Sequence, residues 1–259
     1  MSSFTPKSPV TALANRIEGA RFVLNIYPEA HEGSGSFIPT RPYPRGVGLK
    51  GYAKNPERSA QEAARRAKAK VRRYCASHRL NRLGTLTYEG AGCHDQLALR
   101  RDVGEFFRNL REGLGGESFP YVWVPEWHKT DHGLHVHFAV GKYINRSLIE
   151  QAWQRGFVHI KLLGDLPAGS GTLAEARLAS RYLSKYVGKS FLDANRLEGL
   201  HRYEVAQKFE PRFERIEGTS AYALFDLASD RFGSQPAGQW FSDDDPNWRG
   251  GIAFWAWWN

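Results

Sequence analysis

Apolar and polar positions along this chain change period several times, and each change marks an expected element. Arg21–Tyr27 reads as a strand, set in a Pro-, Gly- and Ser-rich stretch (residues 1–54) expected to be a partly ordered arm. Asn55-Pro56-Glu57 is a helix start, with a capping side chain, a proline and an acid in the first turn. Ala60, Ala63, Ala64, Ala67, Val71 and Tyr74 then recur at helical spacing. From residue 83 short strands and helices alternate. Leu83–Tyr88 is a strand, Asp95–Leu114 a helix closed by two glycines, and Tyr121–Trp127 and Leu134–Val140 two strands joined by a polar turn. A helix from Asn145 to Arg155 and a strand Phe157–Leu163 follow. Thr172-Leu173-Ala174-Glu175 then reads as a capping box opening one more helix.

This β-α-β-β-α-β order plus a helix is ferredoxin-like, or RRM-like. It predicts an α+β fold with a central antiparallel sheet of four or five strands and helices packed on one face. Residues 55–190 are the expected core with its leading helix. Residues 191–259 are an aromatic-rich extension expected to pack on that core. Five tryptophans (Trp240, Trp248, Trp255, Trp257 and Trp258) crowd this end, whose periodicity is unclear.

Charge sharpens the picture. The 259 residues carry a net +9, and Arg58–Arg82 holds nine Lys/Arg against the single acid Glu62. A basic helix of this kind suits a phosphate backbone, with Arg65, Arg66, Lys68, Arg72 and Arg73 as candidate DNA contacts. Two cysteines, Cys75 and Cys93, cannot build a disulfide framework, and a reducing cytoplasm is the expected setting. No apolar run reaches membrane-spanning length and none resembles a signal peptide, so no membrane partner is expected.

Candidate chemistry lies in two places. His135 and His137 alternate on a strand and so face one side. If Trp127 pairs with Leu134 across the turn, Glu126 pairs with His135 and joins that face. One carboxylate and two imidazoles would then suit a divalent cation; His128, Asp131 and His132 in the turn are rival third ligands. Tyr182 and Tyr186 lie one helical turn apart, each followed three residues later by Lys185 or Lys189. Phenols ionise near pH ~10, so nearby ammonium groups are expected to favour the nucleophilic phenolates. Gly188-Lys189-Ser190 echoes the tail of a phosphate-binding loop, but Leu183 stands where a glycine is required, so no ATPase is read here.

The ordered set LGTLTY, EWHKTDHGLHVHFAV and YLSKYVGK resembles the HUH endonuclease superfamily, and within it the rolling-circle replication initiators (Rep) of bacterial plasmids and single-stranded DNA phages. The resemblance covers residues 83–189. It implies an HUH fold and site-specific nicking and strand transfer of single-stranded DNA through a 5′-phosphotyrosine. It also implies a Mg2+ or Mn2+ cofactor, held by His135, His137 and the acidic Glu126. Tyr186 matches the nucleophile of single-tyrosine members and Tyr182 the additional one of two-tyrosine members. The implied partners are single-stranded or hairpin origin DNA, a host helicase and a DNA polymerase. A transposase or relaxase of the same group, and a non-catalytic nucleic-acid-binding module, are the alternatives. A histidine-triad hydrolase is disfavoured because Ala139 occupies the next alternating position.

Overall fold

Alternation and capping largely set the elements. The structure, a computed structural model, describes residues 21–39, 55–161, 171–191, 197, 199–248 and 250–259. In chain order the elements are β1 (Arg21–Tyr27), β2 (Glu32–Ile38), α1 (Pro56–Ser77), β3 (Arg82–Tyr88), α2 (Gln96–Gly113), β4 (Tyr121–Trp127), β5 (Leu134–Val140), α3 (Arg146–Trp153) and β6 (Gly156–Lys161). Then come α4 (Thr172–Ser190), β7 (Glu204–Val205), β8 (Glu214–Gly218), α5 (Ala221–Phe232), β9 (Gly238–Phe241) and β10 (Ala253–Trp257). They divide between two compact units, Tyr52–Glu210 and the described parts of Met1–Gly51 with Pro211–Asn259. The fold is α+β, as the element order predicts.

Three helices start where a side chain frees them to. Asn55 accepts from the Arg58 amide, Asp95 from Leu97 and Asn145 from Ser147, each satisfying an amide that the first helical turn leaves open. The expected Thr172–Glu175 capping box does not form. Helix α4 begins with Gly171 at its cap and no side-chain cap, and the Glu175 carboxylate accepts from Asn81 instead, at 2.6 Å.

The sheet of the Tyr52–Glu210 unit has strand order β6-β3-β5-β4-β7, antiparallel throughout. Its first four strands are ferredoxin-like, and the two-residue β7 covers only Val122 and Trp123 of β4. Pro125, which has no amide proton to give a ladder, lies beyond that cover.

The expectation of helices on one face is corrected. Leu86, Val136, Phe138 and Trp123 face α2 and α3, where Phe106, Leu110 and Trp153 close one core. Leu83, Val122, Val124 and Ala139 face the other way, onto Val71 and Tyr74 of α1 and Ala179, Leu183 and Val187 of α4. Both faces of the sheet are thus covered. The signal for the second layer was the apolar residue at alternate positions that share a face with His135 and His137.

The residues read as arm and extension carry more order than the sequence suggests. β1 falls where expected, and it joins a second antiparallel sheet, β8-β1-β2-β10-β9. Phe22, Leu24 and Ile26 pack with Phe254, Ala256 and Trp258 under Leu224, Phe225 and Ala228 of α5. The terminal FWAWW is therefore a strand whose alternate residues build this unit's own core. Its periodicity is hidden because both faces carry aromatics: Trp255 and Trp257 stack on each other on the opposite side. The remainder of residues 1–54, and residues 162 and 163 of the expected fourth strand, fall mostly outside the described residues. Cys75 and Cys93 are buried and form no disulfide. Among the described residues no helix is long and apolar enough to cross a membrane.

Candidate active site

The β4–β5 hairpin fixes the first half of the site. Its register pairs Trp127 with Leu134 and Glu126 with His135, and alternation brings His137 onto the same face. A one-residue slip would send all three side chains through the sheet. Gly133 holds the turn in place. Its φ of 78° is left-handed, and a Cβ there would lie 2.2 Å from the Cys93 carbonyl oxygen. The chain passes that closely because Leu134 donates its amide to Cys93.

Glu126 is the bridge of the site. His137 Nε2 donates to its Oε2 at 2.8 Å, and Lys189 Nζ donates to its Oε1. Burial works against the carboxylate, yet those two donors hold its pKa below the usual range. With the Nε2 proton committed to Glu126, the neutral His137 ring accepts at Nδ1 from the Thr85 hydroxyl, 3.0 Å away. Thr87 stands likewise 3.2 Å from Nδ1 of His135. A hydroxyl can donate or accept, so both rings keep a partner in either tautomer.

His135 is the less satisfied of the two. Its Nε2 is buried without a hydrogen-bond partner. His128 lies parallel to its ring at 4.4 Å and His132 stands 6.1 Å away. Burial, and then the neighbouring imidazoles of His128, His137 and His132, push its pKa down to about 4. It is a neutral ligand-type imidazole near pH 7. Of the rival turn residues, His132 bonds the Tyr88 carbonyl and His128 pairs with Thr130, which leaves Glu126 as the strand-borne carboxylate.

Helix α4 supplies the second half. The Tyr186 ring stacks on that of His137, with centroids 3.6 Å apart and planes 13° from parallel. The Tyr186 hydroxyl donates to the Tyr182 hydroxyl at 2.7 Å. The sheet and the helix therefore bring both phenols to the imidazole pair. An open cleft of about 380 Å3 reaches this point, lined by Glu126, Trp127, Lys129, Tyr186 and Lys189 among others.

Two expectations change. The Tyr186 phenol is not poised toward ionisation: burial raises its pKa, and the hydrogen bond with Tyr182, that neighbour's charge and the Glu126 carboxylate raise it further. The lysines also divide unevenly. Lys189 stands 5.3 Å over the Tyr186 ring, whereas Lys185 is exposed and contacts neither phenol. The cation over Tyr182 is Lys161 of β6, at 4.3 Å. Lys161 and the two threonines were missed by sequence reasoning. Thr85 and Thr87 had a signal, since their period of two matches that of His135 and His137 on the adjacent strand.

Among the described residues no three His, Cys, Asp or Glu side chains form a ready-made metal cluster. The reason is local: His137 and Glu126 bond each other directly. The donor set nonetheless fits a divalent cation. It offers two imidazoles and an ionised carboxylate, and the orphaned His135 Nε2 is a buried lone pair or N–H in want of a partner.

On the basic helix, Arg65, Arg66 and Lys68 are exposed and Arg72 and Arg73 half-buried. The apolar side of α1 packs on α4, and Lys68 reaches Gly188: a Cβ there would lie 2.9 Å from the Lys68 Nζ. One of the five cations is thus brought against the end of α4 that carries Lys189.

This arrangement is met by a family match. Residues 81–191 match the family model of the ORF2-type replication-associated proteins. The matched segment is about two fifths of the chain and contains β3 through α4, hence every residue of the site just described. It supports a role in the initiation of DNA replication in general, in keeping with the Rep resemblance of the three motifs, and with it DNA binding. No curated protein and no solved structure matches the chain.

Proposed function

We propose that the Tyr52–Glu210 unit nicks single-stranded DNA at a specific site and transfers the strand, starting rolling-circle replication through a 5′-phosphotyrosine. The observation that carries this reading is the packing of Tyr186 on His137 with its hydroxyl bonded to Tyr182. Two nucleophile candidates and two ligand-type imidazoles share one cleft.

His135, His137 and Glu126 would hold Mg2+ or Mn2+, which supplies charge neutralisation at the scissile phosphate. For Glu126 and His137 to serve as ligands their mutual hydrogen bond must open, and the Thr85 hydroxyl can then accept from the His137 Nδ1 proton. The Tyr186 oxygen attacks phosphorus; the bond from phosphorus to the 3′ oxygen breaks, and that oxygen leaves as a hydroxyl after taking a proton. The phenol proton has a first acceptor in the Tyr182 hydroxyl. Lys189 and Lys161, beside the two rings, offset negative charge as the phenol ionises. The ester energy is kept in the tyrosyl bond, so the freed 3′ end can later displace the tyrosine without ATP. Tyr182 is positioned for the second cut of such a cycle. A host helicase and polymerase would supply unwinding and synthesis.

The test is incubation with Mn2+ and an end-labelled single-stranded library, resolved on a denaturing gel. Wild type is expected to give a protein-linked product that the double variant Tyr182→Phe/Tyr186→Phe lacks. No adduct from wild type on any library, with DNA binding intact, would favour a non-catalytic binding module. Strand joining between unlike ends without replication would favour a transposase or relaxase.

A further inference from the structure

A second cavity, of about 310 Å3, lies beyond the Lys161 end of β6. Leu83, Phe138, Val140 and Ile149, all buried, give it apolar walls. At its rim stand the exposed cations Arg82, Lys142 and Lys161, none of which makes an ion pair among the described residues. Tyr143, 73% exposed, stands at the mouth with the Arg82 guanidinium 5.6 Å from its ring centre.

One polar group in the lining is unexplained. Asn81 donates its Nδ2 to the Glu175 carboxylate at 2.6 Å. A carboxylate accepts only, so this bond fixes which end of the amide faces Glu175. The other end, Oδ1, is buried and has no partner. A buried acceptor without a donor is rare enough to need a reason. A ligand N–H would provide one.

Apolar walls, an orphan acceptor, an exposed aromatic ring and a cationic rim together suit a flat ring that bears an N–H edge and carries phosphates on either side. We propose that this cavity takes one unstacked base of the single strand, with Tyr143 stacking on a neighbouring base and Arg82, Lys142 and Lys161 holding the flanking phosphates. Lys161 links the cavity to the chemistry, since its ammonium is also the one over the Tyr182 ring. The inference rests on the strand-nicking reading for the identity of the ligand. It adds that sequence choice near the cut is made here, by Asn81 reading an amino or imino edge.

The experiment measures binding without metal, so that it stands apart from nicking. Full-length protein in EDTA selects from a random single-stranded library, and fluorescence anisotropy gives the affinity of the winning strand. Wild type is expected to enrich one base at one position. Asn81→Leu is expected to bind the library but lose that enrichment, and Tyr143→Ala, at an exposed site where folding is not at stake, to bind the selected strand about 10-fold more weakly. Unchanged affinity in Tyr143→Ala together with unchanged enrichment in Asn81→Leu would overturn the proposal. So would competition by free deoxynucleoside monophosphates as effective as by the strand, which would make the cavity a nucleotide site. If enrichment follows the prediction while wild type forms no adduct with Mn2+, the nicking reading fails and the base pocket stands. Adduct formation with no enrichment at any position does the reverse.

Discussion

Tyr186 donates its hydroxyl proton to Tyr182 across 2.7 Å, which makes the two phenols unequal. The donor must lose a proton it is already sharing, and burial with the neighbouring hydroxyl raises its pKa. Removing the acceptor should therefore help the donor ionise. In Tyr182→Phe, adduct formation by Tyr186 is expected to persist and its rise with pH to begin at lower pH than in wild type, because the reactive form is the phenolate. Tyr186→Phe is expected to lower the adduct yield by about 100-fold or more at neutral pH, any remainder being attached to Tyr182. A pH series of single-turnover reactions, with mapping of the adduct peptide, reads both. A wild-type profile in Tyr182→Phe would show that the shared proton does not matter to the chemistry.

The lysines give a sharper contrast between pattern and packing. Spacing along α4 pairs Lys185 and Lys189 with the two tyrosines, whereas packing substitutes Lys161 for Lys185. Lys161→Ala is expected to slow nicking about 10-fold and Lys185→Ala to leave it within about twofold of wild type. Lys189→Met removes the competitor that holds Glu126 Oε1, so Mn2+ is expected to bind a few-fold tighter while nicking falls. Titration calorimetry with Mn2+ beside nicking rates separates the two effects. Equal losses in Lys161→Ala and Lys185→Ala would restore the spacing argument.

What was legible follows from this contrast. The Glu126–His135 register could be read because a two-period pattern and a short turn allow few pairings, and Trp127 against Leu134 left one. Position along a single helix was legible too, which placed Tyr182 beside Tyr186. Lys161 was not, because its contact crosses from the edge strand β6 to α4, and nothing in a one-dimensional pattern aligns those two elements. The second sheet was hidden for the same reason: β2 and β10 pair Ser36 with Ala253, from opposite ends of the chain. The ionisation state of Tyr186 was misjudged because charge was counted along the sequence while burial, the largest cause of its raised pKa, exists only in the packed protein.

The basic helix makes a prediction about salt. Arg65, Arg66 and Lys68 are exposed on α1, with Arg66 lying 3.8 Å from the Glu62 carboxylate. If all three contact phosphates, each adds about 0.7 to the slope of log affinity against log salt for a single strand. The triple alanine variant is therefore expected to bind any single strand more weakly and with a slope shallower by about 2, without change in base preference. Anisotropy titrations between low and moderate salt measure it. An unchanged slope would leave α1 as a packing element whose charges merely face water.

His135 gives the last prediction, for stability in the absence of metal. Its pKa is held at about 4, against an ordinary value of 6.5, by burial and by the imidazoles around it. The folded protein therefore keeps this ring neutral at pH values where the unfolded chain protonates it. Where the unfolded state binds more protons, stability rises with pH. The contribution is fully present above about pH 6.5 and is lost as pH falls toward 4. Lowering a pKa by one corresponds to about 1.4 kcal/mol, but the ring is only half-buried and solvent screens part of it, so the loss between pH 7 and pH 5 is expected to be about 1 kcal/mol. Urea unfolding in EDTA at the two pH values should show wild type losing that much more than His135→Gln, which has no proton to take up. If the variant loses as much as wild type, another group governs acid sensitivity and the neutral imidazole pair is not set by the fold.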